Sequence, residues 1–284
     1  MSSTSGEGPH SWDHSSHEQF FDHYASRTED PAEVKRCCNI RDTILRFFRP
    51  PNSSGDDAHV LDVGCAGGAL CMVWAELGFK VHGLDVNQPL LEFARERAST
   101  REFQIDYQLG SAIALPWPDA SMDICIALEL LEHVPEWETC LAELTRVVRP
   151  GGILFMSTSN KLCPIQSEFN LPGFSWYPAS WKRYFARLAS TTRPDLANYA
   201  KYPAVNWFTP YGLGRTLRKM GFRTLDRFDL VDSSKLGATG TVLLTAIRTL
   251  PLLRFLAHVC TTGAVLLSVR EAEAQATQLP GVPT

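Results

Sequence analysis

The chain has 284 residues, of which 44% are hydrophobic and 20% charged, so it can bury a substantial core in one large domain with an insertion or tail. Its formal net charge of -4 removes the usual electrostatic reason to expect a nucleic acid or an anionic membrane as partner and favours small or neutral partners. The eight cysteines are scattered without a C-x-x-C pair, which is typical of a cytosolic protein.

The first 51 residues divide into two parts. Residues 1–17 are rich in Ser, His and Gly without an apolar stretch, which predicts a disordered tail and no signal peptide. The histidines of this tail are expected to be solvated rather than to bind a metal ion. Residues 18–51 carry aromatic and aliphatic side chains at helical spacing and end at Pro50-Pro51, so we expect two N-terminal helices there.

Residues 57–248 show a regular alternation of short apolar runs and helical patterns. Strands that alternate with helices of this length predict a parallel sheet with helices on both faces. A short loop before the last run permits an antiparallel hairpin at the sheet edge. We therefore expect an α/β fold with a Rossmann-like, seven-stranded sheet, mostly parallel with an antiparallel last strand. The predicted strands are His59–Val63, Lys80–Leu84, Phe103–Leu109, Met122–Leu128, Ile153–Thr158, Arg223–Leu230 and Thr241–Ile247.

Two further segments depart from this alternation. Residues 161–208 are rich in aromatic, proline and basic residues and are expected to form a cap, after which Thr209-Pro210 begins a helix that Gly221 ends. Residues 249–284 are expected to form an apolar C-terminal helix and a tail. Its uninterrupted apolar part, Phe255–Val269, is shorter than the ~20 residues that a transmembrane helix needs. We expect this helix to pack on its own domain or on a dimer partner, or to lie on a membrane surface.

The loops after the first two strands contain residue types that bind a nucleoside cofactor. Open α/β sheets bind ligands at the carboxyl ends of their strands, and the run Asp62-Val63-Gly64-Cys65-Ala66-Gly67-Gly68 follows the first strand. Its glycines let the backbone approach a ligand, and the next helix offers free N–H groups. Asp85 ends the second strand, where a carboxylate either accepts ribose hydroxyls or caps a helix. Because the loop lacks the G-x-G-x-x-G spacing and begins with an acid suited to a cationic group, a sulfonium cofactor fits better than NAD(P).

Four runs occur in order: VLDVGCAGGALCMVWAELGFKVHGLDVNQPLLEFARERA, FQIDYQLGSAIALP, MDICIALELLEHVPE and RPGGILFMSTSN. Together they resemble the class I S-adenosylmethionine-dependent methyltransferases, and among these the ubiquinone-biosynthesis O-methyltransferases. The resemblance covers about residues 60–160 and implies a methyltransferase sheet with S-adenosyl-L-methionine as the cofactor. The cap at residues 161–208 is not similar to these enzymes.

The resemblance implies that Gly64 is the cofactor glycine of the first loop, that Asp85 is the ribose-binding acid and that Leu128 lies against the cofactor. Arg41 is similar to the family's N-terminal arginine, which reaches the cofactor carboxylate. Many relatives hold the adenine amino group with an Asp after the third strand, whereas this chain has Ser111 and Ala112 there. The residues expected at the cofactor are Arg41, Asp62, Gly64, Cys65, Ala66, Gly67, Asp85, Val86, Ser111, Ala112, Leu128 and Glu129.

The segment Glu129-Leu130-Leu131-Glu132-His133 follows the fourth strand directly and carries the candidate catalytic groups. A phenol hydroxyl with a pKa near ~10 is largely neutral at pH 7, so its methylation needs a base or a metal ion. Three interpretations stay open. His133 is a general base; or Glu129, Glu132 and His133 bind Mg²⁺, as the resemblance to the eukaryotic enzymes implies; or all three have structural roles.

The predicted cap supplies aromatic side chains, of which Trp176, Tyr177 and Trp207 are the expected contacts of a flat acceptor, although many of these rings are expected to form the cap's own core. The sequence thus predicts an enzyme that O-methylates a small ring-containing acceptor, such as a quinol, phenol or sugar hydroxyl. An N- or C-methyltransferase, an NAD(P)-dependent oxidoreductase and a non-catalytic cofactor-binding module are the alternatives. We expect a cytoplasmic protein, peripheral to the membrane if the C-terminal helix contacts it, and no nucleic-acid partner.

Overall fold

The computed structural model describes residues 28, 30–50, 57–165, 169–189, 191–197 and 204–272. The predicted N-terminal tail, the first of the two predicted N-terminal helices and the end of the predicted C-terminal tail lie outside the described residues. The second predicted N-terminal helix is present as α1, Pro31–Leu45.

Seven strands form one sheet: β1 (His59–Val63), β2 (Lys80–Asp85), β3 (Ile105–Leu109), β4 (Met122–Leu128), β5 (Val148–Ser159), β6 (Phe222–Asp226) and β7 (Gly263–Arg270). Their order across the sheet is β3-β2-β1-β4-β5-β7-β6. The first five strands pair in parallel, and β7 runs antiparallel to both of its neighbours. This confirms the predicted mostly parallel α/β sheet with an antiparallel last strand.

Helices cover both faces of the sheet. After α1 they are α2 (Ala69–Ala75), α3 (Gln88–Thr100), α4 (Trp137–Val147), α5 (Ala179–Ala189), α6 (Pro210–Lys219), α7 (Arg227–Leu230), α8 (Ala238–Thr249) and α9 (Pro251–Val259). The core on one face includes residues of α4 and α6, and the core on the other includes residues of α1, α2 and α3. Successive residues of a strand point to opposite faces, so Val60 and Leu61 of β1 are both fully buried in different cores.

Side-chain caps fix where two of these helices begin. Before α3, Asn87 accepts a hydrogen bond from the N–H of Leu90. Before α6, the Thr209 hydroxyl accepts from the N–H of Gly212 over 2.9 Å. Each helix has a proline in its first turn, where no partner is needed for an N–H. The predicted Thr209-Pro210 start is confirmed, and Gly221 follows the helix with a φ of +82°.

The predicted strand Thr241–Ile247 is wrong, because these residues belong to helix α8. Threonines spaced four residues apart suit a helix: the hydroxyl of Thr245 donates to the carbonyl of Thr241, and that of Thr249 donates to the carbonyl of Thr245, each over 2.8 Å. A helix therefore satisfies the hydroxyls of the residues whose β-branched side chains favoured a strand.

The predicted helix over Phe255–Val269 is wrong in its second half. Helix α9 ends at Val259, and the residues after Gly263 form β7, between β5 and β6. Leu266 and Leu267 are buried on opposite faces of the sheet, so the continuous apolar run reflects a strand covered on both sides. The sheet therefore extends to Arg270, and the domain does not end at the predicted residue 248.

The predicted strand Arg223–Leu230 is also shorter than expected. It ends at Asp226, whose side chain accepts from the N–H of Phe228 over 2.9 Å, while Asp229 accepts from the N–H of Asp226 over 3.1 Å. This reciprocal capping box begins the short helix α7 in place of further strand.

The cap predicted at residues 161–208 is described in part and has a small core of its own. Phe169 and Phe174 stack with ring centroids 3.8 Å apart, and the ring of Trp207 lies 5.7 Å from that of Phe174. The chain returns from the cap through Asn206, whose side-chain amide donates to the carbonyls of Leu131 and Val134. The cap is therefore fixed to the turn that follows β4.

Within the described residues, no single helix is long and apolar enough to cross a membrane. Taken together, helices α8 and α9 have the length and apolar composition of a membrane span, but the chain bends by 107° between them. Apolar side chains of both helices are exposed: Val242, Leu243, Leu250, Leu252, Leu253, Phe255 and Leu256.

Candidate active site

The loop after β1 turns the chain at Gly64, at the carboxyl edge of the sheet. Gly64 has a φ of +79°, a left-handed conformation that favours glycine. Its N–H donates to the carbonyl of Leu84 over 2.7 Å, which joins the loop to β2. Gly64 is exposed, and a Cβ placed on it would approach only the side chain of Leu130, at 3.3 Å. The backbone is therefore open to a ligand at this position.

Asp85, at the end of β2, is held in place by the same loop. Its carboxylate accepts from the N–H of Ala66 over 2.8 Å and from the N–H of Asn87 over 2.9 Å. Ala66 has a φ of +46°, a conformation that costs a non-glycine residue ~1 kcal/mol or more. Burial raises the pKa of Asp85, and the N–H donors oppose this rise. The strained loop thus fixes the carboxylate beside Gly64.

Gly67 and Gly68 meet other parts of the protein. A Cβ on Gly67 would lie 2.5 Å from the hydroxyl oxygen of Thr28, and a Cβ on Gly68 would overlap the hydroxyl of Tyr107. Arg97 donates to the carbonyls of both Gly67 and Thr28. Close packing therefore accounts for these two glycines without a ligand.

Asp62 and Cys65 lie beneath the loop, in the protein interior. Asp62 is buried, and the thiol of Cys71 donates to its carboxylate over 3.7 Å. Burial raises the pKa of Asp62 to about 7, with the charge of Asp85 adding to the rise and that of Arg36 opposing it. Burial also raises the pKa of the Cys65 thiol. Both residues support the loop from below.

The predicted adenine-side residues follow β2 and β3. Val86 is half-buried, Ser111 is exposed and Ala112 is buried. The N–H of Gly110 donates to the carbonyl of Asp85 over 3.0 Å, so the loop that carries Ser111 lies beside the ribose-binding candidate. The structure thus brings Gly64, Asp85 and Ser111 to one edge of the sheet.

Leu128 ends β4 next to this edge, and Glu129 follows it directly. Glu129 has a φ of +47°, and its N–H donates to the carbonyl of Ser157 on β5 over 2.9 Å. In return, the Ser157 hydroxyl donates to the Glu129 carboxylate over 2.6 Å. Glu129 is exposed. After Ala66, it is the second residue at this edge with a strained backbone conformation, and its hydrogen bonds to β5 hold that conformation.

Glu132 is buried and His133 is half-buried in the turn after β4. Glu132 is fully buried, and its carboxylate accepts from the N–H of Ser159 over 3.0 Å. Burial and the adjacent Glu129 raise the pKa of Glu132 well above its ordinary value. No group of three His, Cys, Asp or Glu side chains in the described part of the chain is placed to hold a metal ion. The geometry therefore does not support the predicted Mg²⁺ site.

A cavity of about 980 Å³ opens beside Glu129, between α1, α7 and the face of the sheet. Its lining includes Leu128 of β4, Glu129 directly after it, Ser157 of β5 and Arg227 of α7. None of the residues predicted to contact an acceptor, Trp176, Tyr177 and Trp207, is among those that line it. The structure offers space for an acceptor on the α1 side of the candidate site.

Arg41, the arginine predicted to reach the cofactor carboxylate, does not line the cavity. Arg41 donates to the carbonyl of Val73 over 3.1 Å and pairs with Asp42. Arg36, on the preceding part of α1, lines the cavity, and its charge acts on Asp62. Sequence reasoning missed Arg36 because the two arginines, five residues apart on one helix, differ only in which face of α1 they occupy.

The aromatic residues of the cap serve mainly its own core. Tyr177 and Trp207 pack against this core, and the Lys182 ammonium lies 4.1 Å from the ring centroid of Trp207. Trp176 is exposed and donates from its indole N–H to the carbonyl of Lys161 over 2.7 Å. Aromatic composition alone did not distinguish a ring that supports the cap from one that faces a ligand.

Comparisons with known proteins identify the part of the chain that carries these loops. Residues 61–156 match the family described as "Methyltransferase domain". This stretch of the chain is therefore similar to a methyltransferase domain. The matched stretch includes most of β1, β2 to β4, α2 to α4 and most of β5, and it therefore contains Gly64, Asp85 and Glu129.

Curated proteins similar to this part of the chain have one recurring name. The chain is 35% identical to a ubiquinone biosynthesis O-methyltransferase of Mesorhizobium japonicum, over 44% of this chain and 52% of that protein. It is 32% identical to the protein of that name from Brucella anthropi, over 52% of this chain and 62% of that protein. The chain thus spans between about half and three fifths of the length of these relatives.

Solved structures share the fold at low identity. The PH0226 protein of Pyrococcus horikoshii matches with a TM-score of 0.54 and 16% identity, over 90% of this chain and 100% of that one. The [4+2]-cyclase SpnF matches with a TM-score of 0.52 and 19% identity, over 85% and 82% of the two chains. At these identities the comparisons show a shared fold only. The second protein is named a cyclase, so proteins with this fold do not all have the same reaction.

Proposed function

We propose that the chain is an S-adenosylmethionine-dependent methyltransferase that transfers a methyl group to a hydroxyl of a small, ring-containing acceptor. The observation that carries this proposal is the Asp85 carboxylate, held by two backbone N–H groups beside the exposed backbone of Gly64. A cavity large enough for a small acceptor begins at Glu129, next to this edge. The curated relatives named O-methyltransferases support the same reaction.

The residues at the edge fit the proposed cofactor. Asp85 would accept the ribose hydroxyls, Gly64 would lie against the aminocarboxypropyl chain, and Ser111 with the N–H of Ala112 would hold adenine. Arg36 is the proposed partner of the cofactor carboxylate, because it lines the cavity and its charge acts on Asp62. S-adenosylmethionine supplies a methyl group that is already activated for displacement.

The chain's own residues then have to align the acceptor, exclude water and receive a proton. We assign the proton to Glu129, whose exposed carboxylate is oriented by the Ser157 hydroxyl at 2.6 Å. His133, the base predicted from the sequence, is not among the residues that line the cavity. The proposal involves no metal ion, because the Glu132 carboxyl group is fully buried and accepts from the N–H of Ser159.

Cofactor binding is tested first. Calorimetric titration of the intact protein with S-adenosylmethionine is expected to give micromolar or tighter binding, and Asp85→Ala should weaken it at least about tenfold, since a charged hydrogen-bond acceptor is lost. Asp106→Ala, on the neighbouring β3 and exposed, should bind like the wild type. Equal binding by all three proteins, or none by the intact protein, would contradict the proposal.

The alternatives make different predictions. An NAD(P)-dependent oxidoreductase would bind the dinucleotide in the same titration, although the loop lacks the three-glycine spacing. A non-catalytic module would bind S-adenosylmethionine without turnover. N- or C-methylation would place the methyl group on another atom of the acceptor. We propose a cytoplasmic location, which the eight free cysteines support.

We further propose that the exposed apolar side chains of α8 and α9, named above, contact a membrane surface. No Asp or Glu occurs from residue 233 to residue 270, where Lys235, Arg248, Arg254 and Arg270 are found. Arg254 pairs with Asp226 and Asp229, and Arg248 and Arg270 donate to backbone carbonyls. The exposed apolar side chains, with the exposed Lys235 before α8, therefore carry the proposed contact with a bilayer that contains anionic lipid. A second copy of the chain is the other occupant that the sequence suggested.

A further inference from the structure

The cavity beside Glu129 has an excess of basic side chains. Eight charged residues line it, and five of them are basic: Lys35, Arg36 and Arg46 from α1, and Arg227 and Lys235 from the segment after β6. The acidic residues are Asp42, Glu129 and Asp232. In a protein with a net negative charge, a concave surface with this composition attracts anions.

The acidic residues of the cavity are already engaged within the protein. Asp42 pairs with Arg41 over 2.9 Å, and Asp232 accepts from the N–H and the hydroxyl of Ser234. Glu129 accepts from the Ser157 hydroxyl. The negative charges of the lining therefore have local donors and do not neutralise all of the basic groups opposite them.

Two of the basic residues are engaged as well. Arg36 pairs with Glu33 over 2.7 Å, and Arg46 donates to the carbonyl of Leu230 and lies 3.9 Å from Asp232. These contacts join α1 to its own first turn and to α7. The other basic residues of the lining are Arg227, Lys35 and Lys235.

Arg227 is the first residue of α7 and is half-buried. Within the described residues its guanidinium makes no hydrogen bond and no ion pair, although a guanidinium has five N–H donors. Burial lowers the pKa of Arg227, which indicates a desolvated cation, and the charges of Asp226 and then Glu129 oppose this shift. A desolvated cation without an acceptor is unfavourable unless an anion binds to it.

We propose that Arg227, assisted by Lys35, forms an anion-binding subsite that takes a carboxylate or phosphate group of the methyl acceptor. The subsite rests on the proposed function, because it assumes that the acceptor hydroxyl lies at Glu129. Both residues line one cavity, so a single small molecule can place its hydroxyl at Glu129 and its anionic group at Arg227. The arginine fork then selects acceptors by a paired, charge-assisted hydrogen bond.

The first experiment compares matched probes. The protein loaded with S-adenosylhomocysteine is titrated with 3,4-dihydroxybenzoate, with its neutral methyl ester and with inorganic phosphate. The acid is expected to bind at least about tenfold tighter than the ester, because only the acid offers an anion to the guanidinium. Competition of phosphate with the acid would indicate that a free anion suffices, and no competition would indicate that the ring and the carboxylate are recognised together; both outcomes support the subsite.

Variants then locate the anion. Arg227→Gln should weaken the acid at least about tenfold and change the ester less than about twofold, and Arg227→Lys should recover part of the loss. Lys35→Gln, on the exposed side of α1, tests the subsite if Arg227→Gln fails to fold. Arg215→Gln is the matched control, since Arg215 is exposed on α6 and does not line the cavity.

The outcomes distinguish this inference from the proposed function. Equal affinity of the intact protein for acid and ester, or equal weakening of both by Arg227→Gln, would overturn the subsite while S-adenosylmethionine binding and turnover stand. Failure to bind S-adenosylmethionine or S-adenosylhomocysteine would overturn the proposed function itself.

Discussion

Asp62 lies at the end of β1 with its carboxyl group in the protein interior. Burial raises the pKa of this group from 3.8 to about 7, the charge of Asp85 contributes in the same direction, and the Cys71 thiol and Arg36 oppose the rise. A pKa that is higher in the folded than in the unfolded protein means that the folded form binds the proton more tightly. Asp62 therefore favours folding most at pH values below about 4, and this contribution is lost as pH rises towards 7.

We expect Asp62→Asn to remove this dependence. The variant and the wild type should unfold with similar free energies near pH 4, and the variant should become relatively more stable as pH rises to about 7. The difference is at most about 4 kcal/mol, since one pKa unit corresponds to ~1.36 kcal/mol. Denaturant unfolding at several pH values measures it. Glu138→Gln, on an exposed part of α4, is the control, and a constant difference between wild type and Asp62→Asn at every pH would contradict the assignment.

Several site residues could be predicted from the sequence because their chemistry depends on a short segment. Gly64 and Asp85 follow strands whose ends must meet at one edge of a parallel sheet, so their proximity follows from the strand pattern. Arg36 and Arg227 could not be predicted in the same way. Their roles depend on which side of α1 and α7 faces the sheet, and that orientation arises from packing between segments almost 200 residues apart.

At the level of elements, the part of the chain before residue 160 agrees with the sequence prediction more closely than the part after it. Strands β1 and β4 have the predicted bounds, because apolar runs bounded by loops of clear polarity indicate them. The run after residue 238 has no such contrast, since α8, α9 and β7 are all apolar. Only the pairing of β7 with β5 and β6 decides which part is a strand.

The contact proposed for α8 and α9 is a property of this helix pair. The double variant Val242→Asp and Leu252→Asp changes side chains that are 69% and 70% exposed, so it should change the free energy of unfolding by less than about 0.5 kcal/mol. It should lower the fraction of protein that sediments with vesicles containing anionic lipid, because charge on the apolar face opposes insertion. Ile165→Asp, which is 68% exposed in the cap, should sediment like the wild type.

The other outcomes of this sedimentation experiment are informative. If the wild type does not sediment with vesicles but forms a dimer that the double variant lacks, a second copy of the chain covers the face. If neither vesicles nor a dimer depend on the two residues, the face does not have the proposed role.

On the scale of the whole molecule, the sheet divides the proposed reaction between two regions. The ends of β1, β2 and β3, together with Arg36 of α1, carry the residues assigned to the cofactor, and β4, β5, α1 and α7 surround the cavity assigned to the acceptor. Glu129 lies where the two regions meet, and its backbone conformation is held by β5. The fold alone does not fix the reaction, since a cyclase shares it.

Transfer of a labelled methyl group tests the central claim most directly. The intact protein is incubated with methyl-labelled S-adenosylmethionine and 3,4-dihydroxybenzoate, and the product is examined by mass spectrometry. We predict a product with one labelled methyl on oxygen, formed at least about a hundredfold more slowly by Glu129→Gln, with cofactor binding unchanged and with Glu136→Gln, in the same loop, acting like the wild type. Binding of S-adenosylmethionine without labelled product from this or any other hydroxyl acceptor would contradict the account.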